Sequence, residues 1–97
     1  MKLLWSRRAV DELVALRAYS IEHWGVAVAR RYLQDVRDAA QRAARDPRIA
    51  RRLNDRFRLF RVRSHYLILQ LDDQAGTLTV ARVLHCAMDL ERHLPDD

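Results

Sequence analysis

The sequence is poor in the residues that build disulfides, linkers and membrane spans. Cys86 is the single cysteine, so no disulfide can form within the chain, and a reducing compartment, the cytoplasm, is the predicted location. Glycine and proline occur twice each, and no Gly-, Ser- or Pro-rich linker divides the chain, so we predict a single domain over residues 1–97. The first apolar run stops at Arg7 and Arg8, which makes it too short for the apolar region of an export signal or for a membrane span.

Lysine is nearly absent, whereas arginine is abundant. Lys2 is the only lysine among 18 basic residues, which face 13 acidic ones and give a net charge of +5. A protein this basic is expected to bind an anionic partner. Arginine suits that role, because its planar guanidinium pairs with a carboxylate or phosphate through two parallel hydrogen bonds. A GC-rich genome would give the same arginine bias, and this alternative stays open.

The first half of the sequence predicts a short strand followed by a helical hairpin. Lys2–Trp5 has the composition of a strand, and Ser6 is a suitable N-cap for a helix over residues 7–23. Residues 27–45 repeat apolar side chains at helical spacing and predict a second helix. This helix ends before Pro47, because proline cannot continue the hydrogen-bond ladder. The short link between the helices predicts an antiparallel pair.

The second half of the sequence predicts an antiparallel sheet, and hence an α+β fold. Residues 57–62, 66–71 and 78–84 are three runs of strand length separated by short polar segments that suit hairpin loops. The middle run is apolar at successive positions, which predicts a central strand covered on both faces, with the helices on at least one. Residues 48–56 predict a basic connection with one helical turn. Residues 88–94 predict a short helix or a frayed tail.

Several short strings follow one another along the chain in a recognisable order. They are Leu4-Trp5-Ser6-Arg7-Arg8-Ala9, Asp11 with Leu13, Tyr19 with Trp24-Gly25, Ala29-Arg30-Arg31-Tyr32, Asp46-Pro47-Arg48 with Arg51, and Arg82-Val83-Leu84-His85 with Asp89-Leu90. Together with the predicted order of strand, two helices, three strands and tail, they resemble the ParE family of the RelE/ParE toxin superfamily. The resemblance covers nearly the whole chain and implies the β-α-α-β-β-β fold of that superfamily.

The resemblance also implies a function and partners. ParE-like toxins belong to bacterial type II toxin–antitoxin modules, bind DNA gyrase and stabilise its complex with cleaved DNA. A ParD-like antitoxin neutralises them in a hetero-oligomer, so DNA is contacted only through gyrase or the antitoxin. No catalytic residue, cofactor or metal is implied. An acidic antitoxin segment that folds on binding needs apolar anchors and charge-assisted hydrogen bonds, and a cationic chain with an apolar helical seam can supply both.

Two sets of residues are predicted to contact these partners. Residues 42–63 hold nine arginines against two aspartates and form the densest positive region of the sequence. The predicted target contacts, chosen for charge density and for their predicted place on the sheet, are Arg58, Arg61, Arg63, Arg82 and His85. The predicted antitoxin contacts on the apolar seam of the first helix are Leu13, Leu16 and Tyr19. A solvated loop and sheet face is the alternative explanation of the charge, and it stays open.

The RelE-like branch of the superfamily, whose members cut messenger RNA on the ribosome, gives the main alternative function. In an ungapped alignment of the hairpin, positions that those enzymes fill with Lys or Arg hold Phe60 and Leu67. A further Arg position falls at Cys86, and no tyrosine follows Tyr66. An apolar side chain cannot neutralise the charge of a phosphoryl transition state, so the sequence disfavours this activity. A basic binding module of the same fold without toxicity is a third possibility.

The histidines, the cysteine and the aromatic residues are further candidates. His65 and His85 are suited to an acid–base pair because imidazole titrates near neutral pH, but their separation stays open in the sequence. The neighbouring His85 and Cys86 have no CxxC or HxxxH spacing around them, so we predict no metal site. We predict core packing rather than base stacking for the four aromatic residues Trp5, Tyr19, Trp24 and Tyr32.

Overall fold

The computed structural model describes residues 1–94, apart from the Glu91 side chain, and shows two helices packed on one five-stranded sheet. In chain order the elements are β1 (Lys2–Trp5), α1 (Arg7–Trp24), α2 (Val26–Arg45), a 3-10 turn (Pro47–Ile49), β2 (Arg51–Arg52), β3 (Phe57–Val62), β4 (His65–Asp72), β5 (Thr77–His85) and α3 (Leu90–His93). The strand order in the sheet is β1-β5-β4-β3-β2. β1 runs parallel to β5, and the other neighbours are antiparallel. The predicted fold class and element order are confirmed.

Two residues fix the ends of α1. The hydroxyl of Ser6 accepts a hydrogen bond from the Ala9 N–H at 3.0 Å, which satisfies a donor that has no partner within the helix. Gly25 has a φ of +89°, a conformation that residues with a Cβ rarely adopt, and it lets α2 begin one residue later. The predicted N-cap and helical hairpin are therefore confirmed, and each predicted helix boundary at the link differs by one residue.

The main core lies between the two helices and one face of the sheet. The α2 helix contributes small buried side chains at its later turns, and small side chains allow a helix backbone to approach its neighbours closely. Each large aliphatic side chain buried there stabilises the fold by roughly 1.5–3 kcal/mol. The buried members of this core include Val36, Ala39, Ala40, Ala43 and Ala44 from α2, and Leu67, Leu69, Leu78, Val80 and Val83 from β4 and β5.

A smaller apolar cluster covers the opposite face of the sheet. Leu90 and Leu94, from the C-terminal segment, pack against it. Both faces of β4 are thus covered, as its apolar sequence predicts, and the C-terminal segment contains a short helix. The buried residues of this second cluster are Phe57, Leu59, Ile68 and Leu84.

The basic connection and the β3–β4 turn differ in detail from the prediction. The connection contains the expected helical turn, but it also contains β2, a two-residue strand too short to show a period in the sequence. We predicted His65 in a turn, whereas the structure places it in β4, paired with Val62 and with His85. The turn therefore consists of Arg63 and Ser64 alone. No helix within residues 1–94 is long and apolar enough to cross a membrane.

Candidate binding sites: an apolar groove and a basic hairpin

A groove opens between α1, the start of α2 and the adjoining ends of β4 and β5. Its volume is about 530 Å³, within the range of natural ligand pockets. The polar groups Glu12, Tyr32, Ser64, His65 and His85 interrupt a lining that is otherwise apolar. We call this surface the apolar groove, and its apolar and aromatic lining residues are Ala15, Leu16, Tyr19, Trp24, Val83 and Met88.

Large side chains of the apolar groove are exposed. Tyr19 is 52% exposed, Trp24 is 54% exposed and Met88 is 38% exposed. The rings of Tyr19 and Trp24 meet edge to face with their centroids 5.7 Å apart. The predicted core role is confirmed for Trp5 and Tyr32 but is wrong for Tyr19 and Trp24, because the sheet covers only part of the wide apolar stripe of α1. Clustered exposed apolar groups are typical of a binding surface.

Tyr32, His65 and His85 form a contact cluster in the apolar groove. The Tyr32 hydroxyl lies 2.6 Å from Nδ1 of His65 and accepts the Ser64 N–H at 3.1 Å. His65 and His85 are paired across β4 and β5, and their rings meet edge to face with centroids 5.1 Å apart. Burial lowers the pKa of His65 below its ordinary value, and the neighbouring His85 lowers it further. The strand register thus brings together two histidines whose separation the sequence leaves open.

Arg82 is buried and bonded inside the protein. Its Nε lies 3.1 Å from both carboxylate oxygens of Glu12, and its Nη2 lies 2.8 Å from one of them. Its Nη1 donates to the carbonyl oxygen of His93 at 2.6 Å. Since Arg82 is only 5% exposed, it has little surface to offer a target, in contrast to the role we predicted. Its interactions instead join α1, β5 and α3.

Arg61, near the end of β3, and Arg63, in the turn to β4, are both exposed, and we call residues 61–64 the basic hairpin. Nε of Arg61 donates to the Arg63 carbonyl oxygen at 2.9 Å. Arg63 has a φ of +52°, a costly left-handed conformation for a residue other than glycine. Its guanidinium lies 2.6 Å from a carboxylate oxygen of Asp35 and 5.3 Å from the ring centre of Tyr32. These contacts hold a cationic turn beside the apolar groove.

Besides Arg82, two predicted contacts lie away from these surfaces. Arg58 is half-buried and donates to the carbonyl oxygens of Pro47 and Ala50, both at 3.3 Å. Leu13 packs against the main core. The structure therefore gathers Leu16, Tyr19 and His85 in the apolar groove and places Arg61 and Arg63 in the basic hairpin. The sequence did not predict three of the groove residues, Trp24, His65 and Met88. Helical periodicity does not reveal which strand ends lie beside the helix.

The described residues do not assemble a cluster of metal ligands. Within residues 1–94, no three His, Cys, Asp or Glu side chains are placed to hold a metal ion together. His85 uses its Nδ1 to accept the Ala87 N–H at 3.0 Å. Cys86 is a half-buried free thiol.

Sequence comparisons match nearly the whole chain to one family. The family model described as the ParE toxin of the type II toxin–antitoxin system, parDE, matches residues 3–90. Toxin ParE1 of Mycobacterium tuberculosis, in strains CDC 1551 / Oshkosh and ATCC 25618 / H37Rv, is 38% identical over 96 residues. That alignment covers 96% of this chain and 97% of the relative.

Two solved structures share the fold. The chromosomal ParDE toxin–antitoxin system from P. aeruginosa contains a chain with a TM-score of 0.77 and 16% identity, covering 88% of this chain and 95% of that one. The isolated E. coli RelE toxin gives a TM-score of 0.60 at 17% identity, covering 96% of this chain and 98% of that one. Identities this low concern the fold alone, and they agree with the architecture described above. From the family match and the 38% identity to a curated toxin, this chain belongs to the ParE toxin family of type II toxin–antitoxin systems.

Proposed function

We propose that this ParE-family toxin inhibits DNA gyrase by binding it and stabilising its complex with cleaved DNA, and that a ParD-like antitoxin neutralises it. The observation that carries the proposal is the match to the ParE family over residues 3–90. The exposed apolar groove and basic hairpin support it, because both are surfaces suited to macromolecular partners. The predicted cytoplasmic location belongs to this proposal, since gyrase acts on the chromosome.

The apolar groove is the proposed antitoxin site. An antitoxin segment that covered Tyr19, Trp24 and Met88 would remove apolar surface from water, at roughly 25 cal/mol per Å². An amphipathic helix laid in a groove is a common way to bury such a row of side chains. The net charge of +5 favours an acidic partner. Leu16 and Tyr19 remain proposed antitoxin contacts, whereas Leu13 supports them from the core.

The basic hairpin is the proposed target site. Arg61 and Arg63 are exposed, and the contacts of Arg63 with Asp35 and Tyr32 fix the turn before any partner arrives. A preformed cationic turn speeds association with an anionic surface and loses less entropy on binding. Arg58 and Arg82 are weaker candidates than the sequence indicates, because backbone carbonyls and Glu12 already occupy their guanidinium groups.

We propose that the toxin acts without breaking bonds itself. Leu67 stands at a position that the RelE-like nucleases fill with a basic residue, and it is completely buried. Phe60, at another such position, packs against the main core. The Arg42 guanidinium lies over the Phe60 ring, 5.6 Å from the ring centre. Neither Leu67 nor Phe60 can stabilise charge on a phosphoryl group. The histidine pair lies in a mainly apolar groove, which favours a binding role over RNA cleavage.

Controlled expression of the chain in a susceptible bacterium tests this function. We expect growth arrest with filamentation, induction of the SOS response and cleaved chromosomal DNA trapped on gyrase. Co-expression of the antitoxin encoded beside the toxin gene should restore growth. Rapid loss of translation with cut messages would instead support the nuclease, and the absence of any arrest would support a binding module without toxicity.

A further inference from the structure

The histidine pair, His65 and His85, is the polar centre of the apolar groove. We propose that this pair is a carboxylate-binding site that takes an Asp or Glu side chain of the antitoxin, with uptake of a proton. The inference rests on the proposed antitoxin partner and adds to it the chemistry of one contact. The Nε2 atoms of the two imidazoles are the proposed hydrogen-bond donors to this carboxylate.

Hydrogen bonds assign a role to each imidazole. Nδ1 of His85 accepts the Ala87 N–H at 3.0 Å, so the neutral ring carries its proton on Nε2. Protonating His85 would place a hydrogen on Nδ1. That nitrogen could then no longer accept the Ala87 N–H, so this hydrogen bond would be lost. Nε2 of neutral His85 is therefore a hydrogen-bond donor available to an acceptor in the groove.

His65 is the ring that can gain a proton without losing a bond. Its Nδ1 lies 2.6 Å from the Tyr32 hydroxyl, whose oxygen has two lone pairs and accepts the Ser64 N–H with one of them. The second lone pair can accept an Nδ1–H when His65 is an imidazolium. In that state the Nε2 groups of His65 and His85 are both donors. A carboxylate with two acceptor oxygens matches this pair.

Within the part of the chain that the structure describes, the two carboxylates nearest the histidine pair are already paired with arginines. The Glu12 carboxylate is already bonded to Arg82 and to the Val83 N–H, and Asp35 is paired with Arg63. Burial and the adjacent imidazole keep the pKa of His65 low while the groove is empty. An entering carboxylate removes this penalty. The other ionisable groups of the groove lining are Glu12, Tyr19 and Tyr32, and Arg63 lies over the Tyr32 ring.

The surroundings of the pair favour a peptide carboxylate over a nucleic-acid phosphate. Tyr19, Trp24 and Met88 line the same groove, so a segment that reaches the histidines must bring apolar side chains beside its acid. A nucleic-acid backbone carries a charge on every nucleotide and is bound by rows of cations. The chemistry of this groove is instead that of an acidic residue within an amphipathic helix.

Proton uptake on binding determines whether the affinity for the antitoxin rises or falls with pH. In the free toxin, His65 has a lowered pKa and is neutral near pH 7. In the complex, the carboxylate raises that pKa, so the antitoxin binds together with a proton. The affinity of the toxin for the antitoxin must therefore rise as the pH falls near pH 7. One coupled proton changes the dissociation constant by at most about tenfold per pH unit.

Calorimetric titration of the full-length toxin with the antitoxin encoded beside it measures this linkage. Titrations at pH 7.0 in PIPES and in Tris, which differ in ionisation enthalpy, give the number of protons exchanged. We expect uptake of roughly 0.5–1 proton and a dissociation constant about three- to tenfold lower at pH 6.5 than at pH 7.5. The imidazole ¹⁵N shifts should show a higher pKa for His65 in the complex than in the free toxin.

Asparagine variants separate the two nitrogens of each ring. Asn can reproduce the hydrogen bond made by Nδ1 but lacks Nε2 and does not titrate. His65→Asn should abolish proton uptake, and His85→Asn should weaken binding about tenfold, as expected when a hydrogen bond to a charged group is lost. His23→Asn is the control, because Nδ1 of exposed His23 bonds the Tyr19 carbonyl oxygen at 2.8 Å and its ring stacks on Tyr19, but His23 does not line the groove. It should leave the proton count unchanged.

The possible outcomes distinguish this inference from the proposed function. Tight binding without proton uptake, and with His65 titrating as in the free toxin, would overturn the carboxylate site while leaving the antitoxin partner intact. No binding at all would overturn the antitoxin proposal and this inference with it. A double-stranded DNA oligonucleotide that competes with the antitoxin and gives the same proton uptake would assign the pair to phosphate instead.

Discussion

The half-buried Glu12 carboxylate and the buried Arg82 guanidinium form an ion pair that connects the first helix to the last strand, with Nη2 and the nearer oxygen 2.8 Å apart. Glu12 also accepts the Val83 N–H at 3.0 Å. β1 pairs only with the first half of β5, from Thr77 to Val80, so this carboxylate satisfies a backbone donor on the uncovered half. The pair therefore joins two walls of the apolar groove, α1 and β5.

Glu12→Gln should destabilise the protein by about 3 kcal/mol, because it leaves the Arg82 charge buried without a counter-ion. Urea denaturation at pH 7 measures this loss. Asp11→Asn is the matched control at the next position, where Asp11 pairs with Arg7 at 3.3 Å on the exposed side of α1. Exposed pairs contribute little, so the control should change stability by less than about 0.5 kcal/mol. Equal losses in the two variants would contradict the role of the Glu12–Arg82 pair.

The free energy of unfolding should fall as the pH is lowered from 7 to 5. Since the pKa of His65 is lower in the folded state than in the unfolded chain, the unfolded state binds more protons in this range, and acid favours it. Urea titrations at pH 7, 6 and 5 measure the slope, which should be shallower in His65→Asn than in the His23→Asn control. The same slope in both variants would show that His65 is not the group responsible.

Trp24→Ala should weaken antitoxin binding about 30-fold or more, because aromatic anchors in apolar grooves are typical hot spots. The measurement is a dissociation constant by calorimetry at fixed salt and pH. Val14→Ala is the control, since Val14 lies on the same helix and is 64% exposed, but it does not line the groove. A loss of affinity that is equal for the two variants would place the antitoxin elsewhere on α1.

Arg61→Glu combined with Arg63→Glu should abolish growth arrest, because charge reversal on the basic hairpin opposes an anionic target. Colony counts after induction provide the measurement, and retained antitoxin binding shows that the variant is folded. Arg61→Glu alone tests the same surface without altering the left-handed residue at position 63. Arg7→Glu changes the first residue of α1, whose side chain is 90% exposed, and this variant should remain toxic. Undiminished arrest in both hairpin variants would reject this surface.

Local chemistry was sufficient to predict most of the fold. The Ser6 cap, the glycine after α1 and Pro47 after α2 act on their immediate neighbours, so the sequence alone locates the helix ends to within about one residue. The apolar run in β4 likewise identifies the central strand. These signals depend on side chains that are close in sequence, where periodicity and capping rules apply.

The site depends on contacts between residues far apart in the sequence, which periodicity and capping rules do not predict. Glu12 and Arg82 are 70 residues apart, and only the packing of α1 against the edge of β5 makes them partners. His65 and His85 meet because of the strand register, and the predicted turn had excluded His65 from the strand. For Tyr19, periodicity gives the side of the helix but not how far the sheet covers it. Exposure in the groove therefore could not be predicted.

DNA supercoiling by purified gyrase, measured in the presence of the purified chain, tests most directly whether this toxin acts by binding gyrase without catalysis. We predict that supercoiling is inhibited, that linear DNA linked to gyrase accumulates, and that equimolar antitoxin reverses both effects. Messenger RNA on ribosomes incubated with the same preparation should stay intact. Cleaved messages together with unaffected supercoiling would contradict the proposal.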